Sequence, residues 1–344
     1  MKKYKVIFSL LLVSILVVFL SGELLLRVFE NRIKPKYLYV ADLDLIWALN
    51  PEIRPASQGF MENKLDFFDL NADDLIYAIG DSFAYGNVSY DKNYLTLVDS
   101  GLENYNVVNL GVGGYSPLQY QKIIEKYSLV KKPKAIFLNF FIGNDYQLNN
   151  STNVEFLLKT LQMEDEGRVY SYWWRYLKVM YRFLYLQYYF LEGKNFSDKH
   201  FDNIVINSAA PAAISYRDDV AKEVEENLRI LREIVAFCKN NNIKLVVFIL
   251  PAEYQVDDQI FARAVAGANL AVTDYDLVKP QRILFEILEQ EGVDYIDLLP
   301  MFKKQAETTT LYLYQNTHWN ESGNELAANE ILMQLKNIDL DGGG

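Results

Sequence analysis

"YAIGDSFAYGN", residues 77–87, decides how the rest of the chain is read. An apolar run stops abruptly at Gly80-Asp81-Ser82, and Gly86 follows. Turns between a strand and a helix are rich in Gly, Asp and Ser on steric grounds alone. Ser82 is therefore either a surface serine on a turn or a nucleophile presented at a strand end. The segments around it separate the two.

Outward from this stretch, apolar runs alternate with helical periodicity. "LIYAIG" (75–80), "YNVVNLG" (105–111), "KAIFLNFFIG" (134–143), "IKLVVFILP" (243–251) and "VDYIDL" (293–298) read as buried strands. Between them, residues 92–103, 116–130, 216–242 and about 274–291 carry helical spacing, and "ESGNELAANEILMQLKNI" (321–338) closes the pattern as a helix. Pro117 falls in a first helical turn, where the missing N–H costs nothing. Almost continuously apolar strands alternating with helices predict a parallel sheet covered on both faces.

The ends of the chain carry other signals. "MKKYK" is basic, and Val6 to Leu20 is apolar apart from Ser9 and Ser14. The apolar character resumes after Glu23 in "LLLRVF", and no good cleavage site intervenes. Residues 1–30 are expected to be an uncleaved membrane anchor with its lysines cytoplasmic and the rest extracytoplasmic; a cleaved signal peptide is the alternative. Residues 31–72, with Pro35, Pro51, Pro55 and Gly59, read as a linker with short strands. The catalytic domain is expected over 73–338, with an insertion at 147–216, and residues 339–344 are expected to be disordered. At the centre of the insertion, "YSYWWRYLKVMYRFLYLQYYF" (170–190) is about half aromatic. It suits a lid, a substrate platform, a contact with the membrane interface or an amphipathic cap on the main domain.

Composition removes several functions. The 344 residues carry a net charge of -11 and no basic cluster, which argues against nucleic-acid binding. The single cysteine, Cys238, rules out an internal disulfide or a cysteine-based zinc site and reads as a core residue of a helix.

In an open parallel sheet, ligands bind beyond the carboxyl ends of the strands. The polar residues expected there are Asp81-Ser82, Gly111 to Gly114, Asn144-Asp145 and Asn316 to Asn320. Acyl transfer through serine needs a hydroxyl, a base within hydrogen-bond reach and donors for the oxyanion. Of the two histidines, His200 lies in polar "FSDKHFDN" and reads as a solvated loop residue, which leaves His318 as the base for Ser82. The Gly114 amide and the Asn144 side chain can donate to an oxyanion.

The blocks "GDSFAYG", "VVNLGVGGYS", "FIGND" and "THWNESG", in that order, resemble those of the SGNH (GDSL-type) hydrolases. The resemblance implies a flavodoxin-like three-layer α/β/α sandwich and ester hydrolysis or acyl transfer without metal or cofactor. It implies Ser82 as nucleophile, His318 as base, and the Ser82 amide, Gly114 and Asn144 as the oxyanion hole. The anchored layout resembles bacterial members acting on acylated glycans. Two positions depart from the family pattern. Ile142 stands where a glycine is usual, and Asn316 or Gln315 where an aspartate is usual. Asn316 is then a neutral triad member, unless Asp294, Asp297 or Glu321 supplies the charge. That departure leaves a second reading, an inactive relative that binds glycan or scaffolds a membrane complex. An α/β-hydrolase fits less well, because only a linker precedes Ser82 and Ala84 breaks the Gly-x-Ser-x-Gly elbow. A dinucleotide-binding protein also fits less well, because Ser116 replaces the third glycine of the fingerprint.

Overall fold

The computed structural model describes residues 2–33, 39–42, 46–49, 74–147, 171–186 and 195–341. The chain opens with helix α1 (Lys2–Ile33) and a small antiparallel pair, β1 (Tyr39–Asp42) and β2 (Ile46–Leu49). Then follow β3 (Leu75–Ile79), the single-turn α2 (Ser82–Tyr85), α3 (Tyr94–Gly101), β4 (Asn106–Asn109), α4 (Pro117–Val130) and β5 (Ala135–Phe141). The insertion supplies α5 (Tyr172–Leu186) and α6 (Asp198–Ser208). After it come α7 (Asp218–Asn240), β6 (Lys244–Leu250), α8 (Glu253–Val256), α9 (Asp258–Gly267), α10 (Lys279–Gln290), β7 (Asp294–Asp297), α11 (Leu299–Ala306) and α12 (Glu321–Leu335).

All five predicted strands form one parallel sheet in the order β4-β3-β5-β6-β7. Counted from β3, that is the 2-1-3-4-5 order of the flavodoxin-like sandwich. Each face of the sheet builds its own core. Leu75, Tyr77 and Ile79 of β3 point into one core with Ile123, Ile124, Leu231, Ile234 and Leu284 from α4, α7 and α10. Ile76 and Ala78 point into the other, with Leu95, Phe201, Phe261, Phe302 and Ile331 from α3, α6, α9, α11 and α12. Alternation along a strand buried on both faces explains why its sequence is a continuous apolar run. Truncating a fully buried ring such as Phe137 to alanine is expected to cost about 3–5 kcal/mol.

Several expectations need correction. The helix read over about 274–291 starts at Lys279, with Pro280 in its first turn and a short 3-10 turn at Val272–Asp274 before it. His200 lies in helix α6, not a loop; it is exposed and packs on Phe196. The second half of the insertion belongs to the core, since Phe201, Val205 and Ala209 are buried there. At the carboxyl end, residues 339–341 are not a free tail. Leu340 is buried, Asp341 pairs with Lys134 at 3.1 Å, and Tyr105 donates to Asp341. Most of the linker, residues 148–170 and 187–194, and the last three glycines lie outside the described residues. Cys238 is buried, as expected, and burial pushes its thiol pKa up to about 12. Within α1, Val6–Phe29 is long and apolar enough to cross a membrane, with a mean hydropathy of 2.5 and none of it buried in the protein. A membrane anchor and a signal sequence both meet that description.

Candidate active site

The site lies at the carboxyl edge of the sheet, where β3 ends. Asn139, fully buried in the middle of β5, donates to the Ile79 carbonyl at 3.0 Å and accepts from Tyr94 Oη at 2.6 Å. This fixes the last residue of β3 next to Gly80. A Cβ on Gly80 would lie 2.9 Å from the Cβ atoms of Ala84 and Asn139, so only glycine lets the chain turn here without displacing neighbours. Asp81 then caps α2, its Oδ1 accepting from Phe83 N at 2.9 Å. Ser82 is the first residue of that helix. The last turn of α2 is held from outside, with Asn93 Nδ2 and Asn109 Nδ2 both donating to the Ala84 carbonyl, at 3.0 and 2.7 Å.

The second block runs directly beneath α2. A Cβ on Gly111 would meet Ala84 Cβ at 2.5 Å and Tyr85 N at 2.7 Å. Gly114 has φ +81°, a conformation that favours glycine. The third block follows β5. Asn144 Nδ2 donates to Asp81 Oδ2 at 2.8 Å, and Asp145, buried, accepts from Phe141 N and Tyr120 Oη.

The last block brings in the histidine. His318 Nε2 is 2.8 Å from Ser82 Oγ. Its Nδ1 is 2.9 Å from both the side-chain oxygen and the backbone carbonyl of Asn316. Two acceptors on Nδ1 require the proton there, which leaves Nε2 free to accept from the serine hydroxyl. Gln315 (φ 48°) and Thr317 (φ 66°) on either side of Asn316 are left-handed, a strained arrangement that aims both Asn316 oxygens at one nitrogen. Contacts from the insertion brace this loop. Phe196 N donates to the Gln315 carbonyl at 2.9 Å, and the Gln315 side chain bonds Asp198. On the far side, Asn320 caps α12 by accepting from Gly323 N at 3.0 Å. A Cβ on Gly323 would lie 2.3 Å from the Leu311 carbonyl, so glycine sets how close α12 comes.

Among the described residues, no carboxylate reaches Nδ1 of His318. Asp294 pairs with Lys244 at 2.7 Å, at the opposite end of the sheet. Asp297 caps α11 through Leu299 N, and Glu321 is exposed in the first turn of α12. Among the described residues, Asn316 supplies the hydrogen bonds to Nδ1.

Burial sets the electrostatics. The Asp81 carboxyl is pushed up to about 6 by burial, against the hydrogen bonds from Phe83 N, Asn144 and Ser82. Asp145 is also raised, first by burial and then by the charge of Asp81. The His318 imidazole is pushed down to about 4 by desolvation, against the Asn316 carbonyl. The residue is half-buried, and its ring stacks on Phe83 at 5.0 Å. A neutral imidazole facing a serine hydroxyl is the arrangement that proton abstraction needs.

Ser82 and His318 are thus brought into hydrogen-bond contact and Asn316 onto the back of the ring, while Asn144 reaches the residue preceding Ser82. Sequence reading gave no part to Asp81, although its position one residue before a helix was the N-cap signal. The bracing by Phe196 and Asp198 had no signal, because it joins segments far apart in the chain.

Residues 212–342, which include β6, β7, Asn316 and His318, match the family model described as an SGNH hydrolase-like domain, acetyltransferase AlgX. That stretch is similar to an SGNH hydrolase-like domain. The SGNH resemblance is borne out over that stretch, and so is the predicted fold. Among solved structures the chain is similar to a lipolytic protein of the G-D-S-L family from Veillonella parvula, at 14% identity, 77% of this chain, 99% of that chain and TM-score 0.40. It is also similar to a lipase/acylhydrolase from Enterococcus faecalis, at 16% identity, 76% of this chain, 95% of that chain and TM-score 0.40. A third is a catalytic mutant of Axe2, an acetylxylan esterase from Geobacillus stearothermophilus, at 11% identity, 80% of this chain, 99% of that chain and TM-score 0.42. No curated protein matches the chain. The family supports activity on acyl esters, as an esterase or an acyltransferase.

Proposed function

We propose that the SGNH domain is a serine esterase or O-acyltransferase acting on ester-linked acyl groups of extracytoplasmic glycans, tethered to the membrane by α1. The observation that carries this reading is the 2.8 Å contact of His318 Nε2 with Ser82 Oγ, with Nδ1 held by Asn316. Ser82 Oγ attacks the ester carbonyl carbon as its proton passes to Nε2. The carbonyl π pair moves onto oxygen, and the Ser82 amide, the Gly114 amide and the second N–H of Asn144 Nδ2 receive it. Collapse expels the alcohol, which takes the proton from Nε2, and leaves Ser82 acylated. Water or a sugar hydroxyl then gives its proton to Nε2 and attacks the acyl carbon; the bond to Ser82 Oγ breaks as Nε2 returns the proton to Oγ, releasing the acid or the new ester.

The extracytoplasmic placement rests on the basic residues that open α1, Lys2, Lys3 and Lys5, and the glycan substrate on the resemblance to anchored bacterial members. One observation favours a second reading, a weak or inactive relative that binds glycan or scaffolds a membrane complex: Asn316 is neutral and cannot stabilise an imidazolium by charge. A fluorophosphonate probe, with p-nitrophenyl acetate as substrate, separates the two. The enzyme reading expects labelling at Ser82 and loss of labelling and hydrolysis in Ser82→Ala. Labelling at a different serine, or full activity in the alanine variant, rejects the site.

A further inference from the structure

Glu23 sits inside the apolar stretch Val6–Phe29. An ionisable side chain in such a span is costly unless it has partners. Its partners come from the start of the aromatic helix. Tyr172 N donates to its Oε1 at 2.7 Å, and Trp173 N and Ser171 Oγ donate to its Oε2 at 3.1 and 3.2 Å. These amides belong to the first turn of α5, which has no acceptors of its own for them, and the helix dipole favours an anion there. Arg27 lies on the other side of Glu23 at 3.4 Å and over the Tyr172 ring at 4.9 Å.

Shape complementarity accompanies the charge. The indole of Trp173 lies against the backbone of α1 at Gly22, where a Cβ would come within 2.1 Å of the ring. Its Nε1 donates to the Phe19 carbonyl at 2.9 Å, and the ring stacks on Phe19 at 6.1 Å. Glycine at position 22 and a carboxylate at position 23 thus form a seat for the beginning of α5.

Depth along α1 follows from the helical rise. Glu23 is six residues from the Phe29 end of the apolar span, roughly 9 Å of helix axis. That depth, below the end of the span, is the depth to which an interfacial helix buries its apolar face, about 5–10 Å. Trp174, Leu177 and Tyr181 of α5 are 62%, 54% and 70% exposed and spaced at i, i+3 and i+7. Lys178 lies over the Trp174 ring at 5.3 Å. Aromatic rings with an apolar residue between them and a cation beside them are the composition that settles at the headgroup level of a bilayer.

We propose that α5 is an interfacial membrane helix. It docks on α1 through Gly22 and Glu23 and lays its Trp174–Leu177–Tyr181 stripe into the lipid surface. This rests on the reading of α1 as a retained membrane anchor. The aromatic segment then holds the SGNH domain at the bilayer by a second attachment, and the occupant of its exposed stripe is lipid.

The test uses the full chain carrying Leu177→Cys, labelled with an environment-sensitive fluorophore. Cys238 is buried and stays unlabelled. The protein is reconstituted into vesicles of phosphatidylcholine and phosphatidylglycerol, with or without lipid brominated near the headgroup end of the acyl chain. The expected result is strong quenching by the brominated lipid and protection from aqueous iodide. Gly22→Leu and Glu23→Leu, each in the same background, should lose most of that quenching while remaining in the vesicle fraction. Iodide quenching without bromolipid quenching overturns the proposal and leaves the anchor intact. Protection from both quenchers also overturns it, because protein then covers the stripe. Undiminished bromolipid quenching in both α1 variants overturns the docking. A wild-type chain absent from the vesicle fraction overturns the anchor reading itself.

Discussion

Asn144 donates through Nδ2 to Oδ2 of Asp81 at 2.8 Å, while its own Oδ1 is buried with no hydrogen-bond partner among the described residues. The carboxylate decides which way the amide faces. With the amide reversed, two oxygens would oppose each other, so the NH2 stays near Ser82 and keeps one N–H for a substrate. Removing the donor in Asn144→Ala is expected to lower kcat by about 10²–10³ with little change in KM. Asp81→Asn keeps the cap on Phe83 N but places an NH2 against an NH2, turning Asn144 around, and should show the same split. Steady-state kinetics on one activated ester checks both; a rise in KM alone would mean that Asn144 binds substrate without serving the transition state.

His318 must be neutral to accept the serine proton. Desolvation pushes its pKa from the ordinary 6.5 towards about 4, so the neutral form persists well into acid. The loss of kcat/KM on the acid side should therefore lie below the ordinary imidazole range, with activity falling as pH drops towards about 4. A profile of kcat/KM measured down to about pH 3 checks it. An acid limb centred at an ordinary imidazole value would show that water reaches the ring in solution.

Asn316 orients His318 without charge. In a trypsin-type triad, exchanging the aspartate for asparagine costs about 10⁴ in turnover. Asn316→Asp should raise kcat about tenfold or more, leave KM nearly unchanged, and move the acid limb to higher pH, because the anion stabilises the imidazolium. An unchanged or lower rate in the variant would falsify Asn316 as the weakened third member.

Glu253 opens α8 at the carboxyl end of β6 with Oε2 buried and unpartnered. Burial, then the nearby charge of Asp257, pushes its carboxyl up to about 8, against the pull of Arg263. Its folded pKa lies above the unfolded one, so wild-type stability from this group is complete below the unfolded value, about 4.3, and is lost as pH rises through about 8. Glu253→Gln should therefore gain on the wild type in Tm as pH increases from about 5 to about 9. Melting curves across that range check the slope; a constant difference would mean that the carboxyl ionises without cost.

The strands were legible because burial on both faces leaves few residue types that fit: "LIYAIG" and "KLVVFIL" have almost no polar positions to misread. The site was legible at the same points, since Ser82, Gly114, Asn144 and His318 each follow a strand or precede a helix at the carboxyl edge. What escaped depends on contacts between distant segments. Gln315 and Thr317 adopt left-handed backbone only because Phe196, Asp198 and α12 hold the loop on both sides. Glu23 reads in sequence as a break in an apolar run; its partners are about 150 residues away, in a segment whose composition alone allowed four uses. Helices α8, α9 and α11 are short and lie at strand ends, where periodicity has too few residues to register.

The serine and its base stand 236 positions apart, and α12, which follows the base, is tied to α3 by Tyr94 N donating to Asn324 Oδ1 across 230 positions. A ribosome therefore finishes the nucleophile long before it reaches the group that activates it. Chains emerging residue by residue fold from the amino end first. During most of synthesis this serine lacks His318, on a sheet that lacks its last strand and the last helices of one face. On the proposed reading, the serine gains its base only when the closing segment docks, and a chain truncated before His318 is expected to lack the activity.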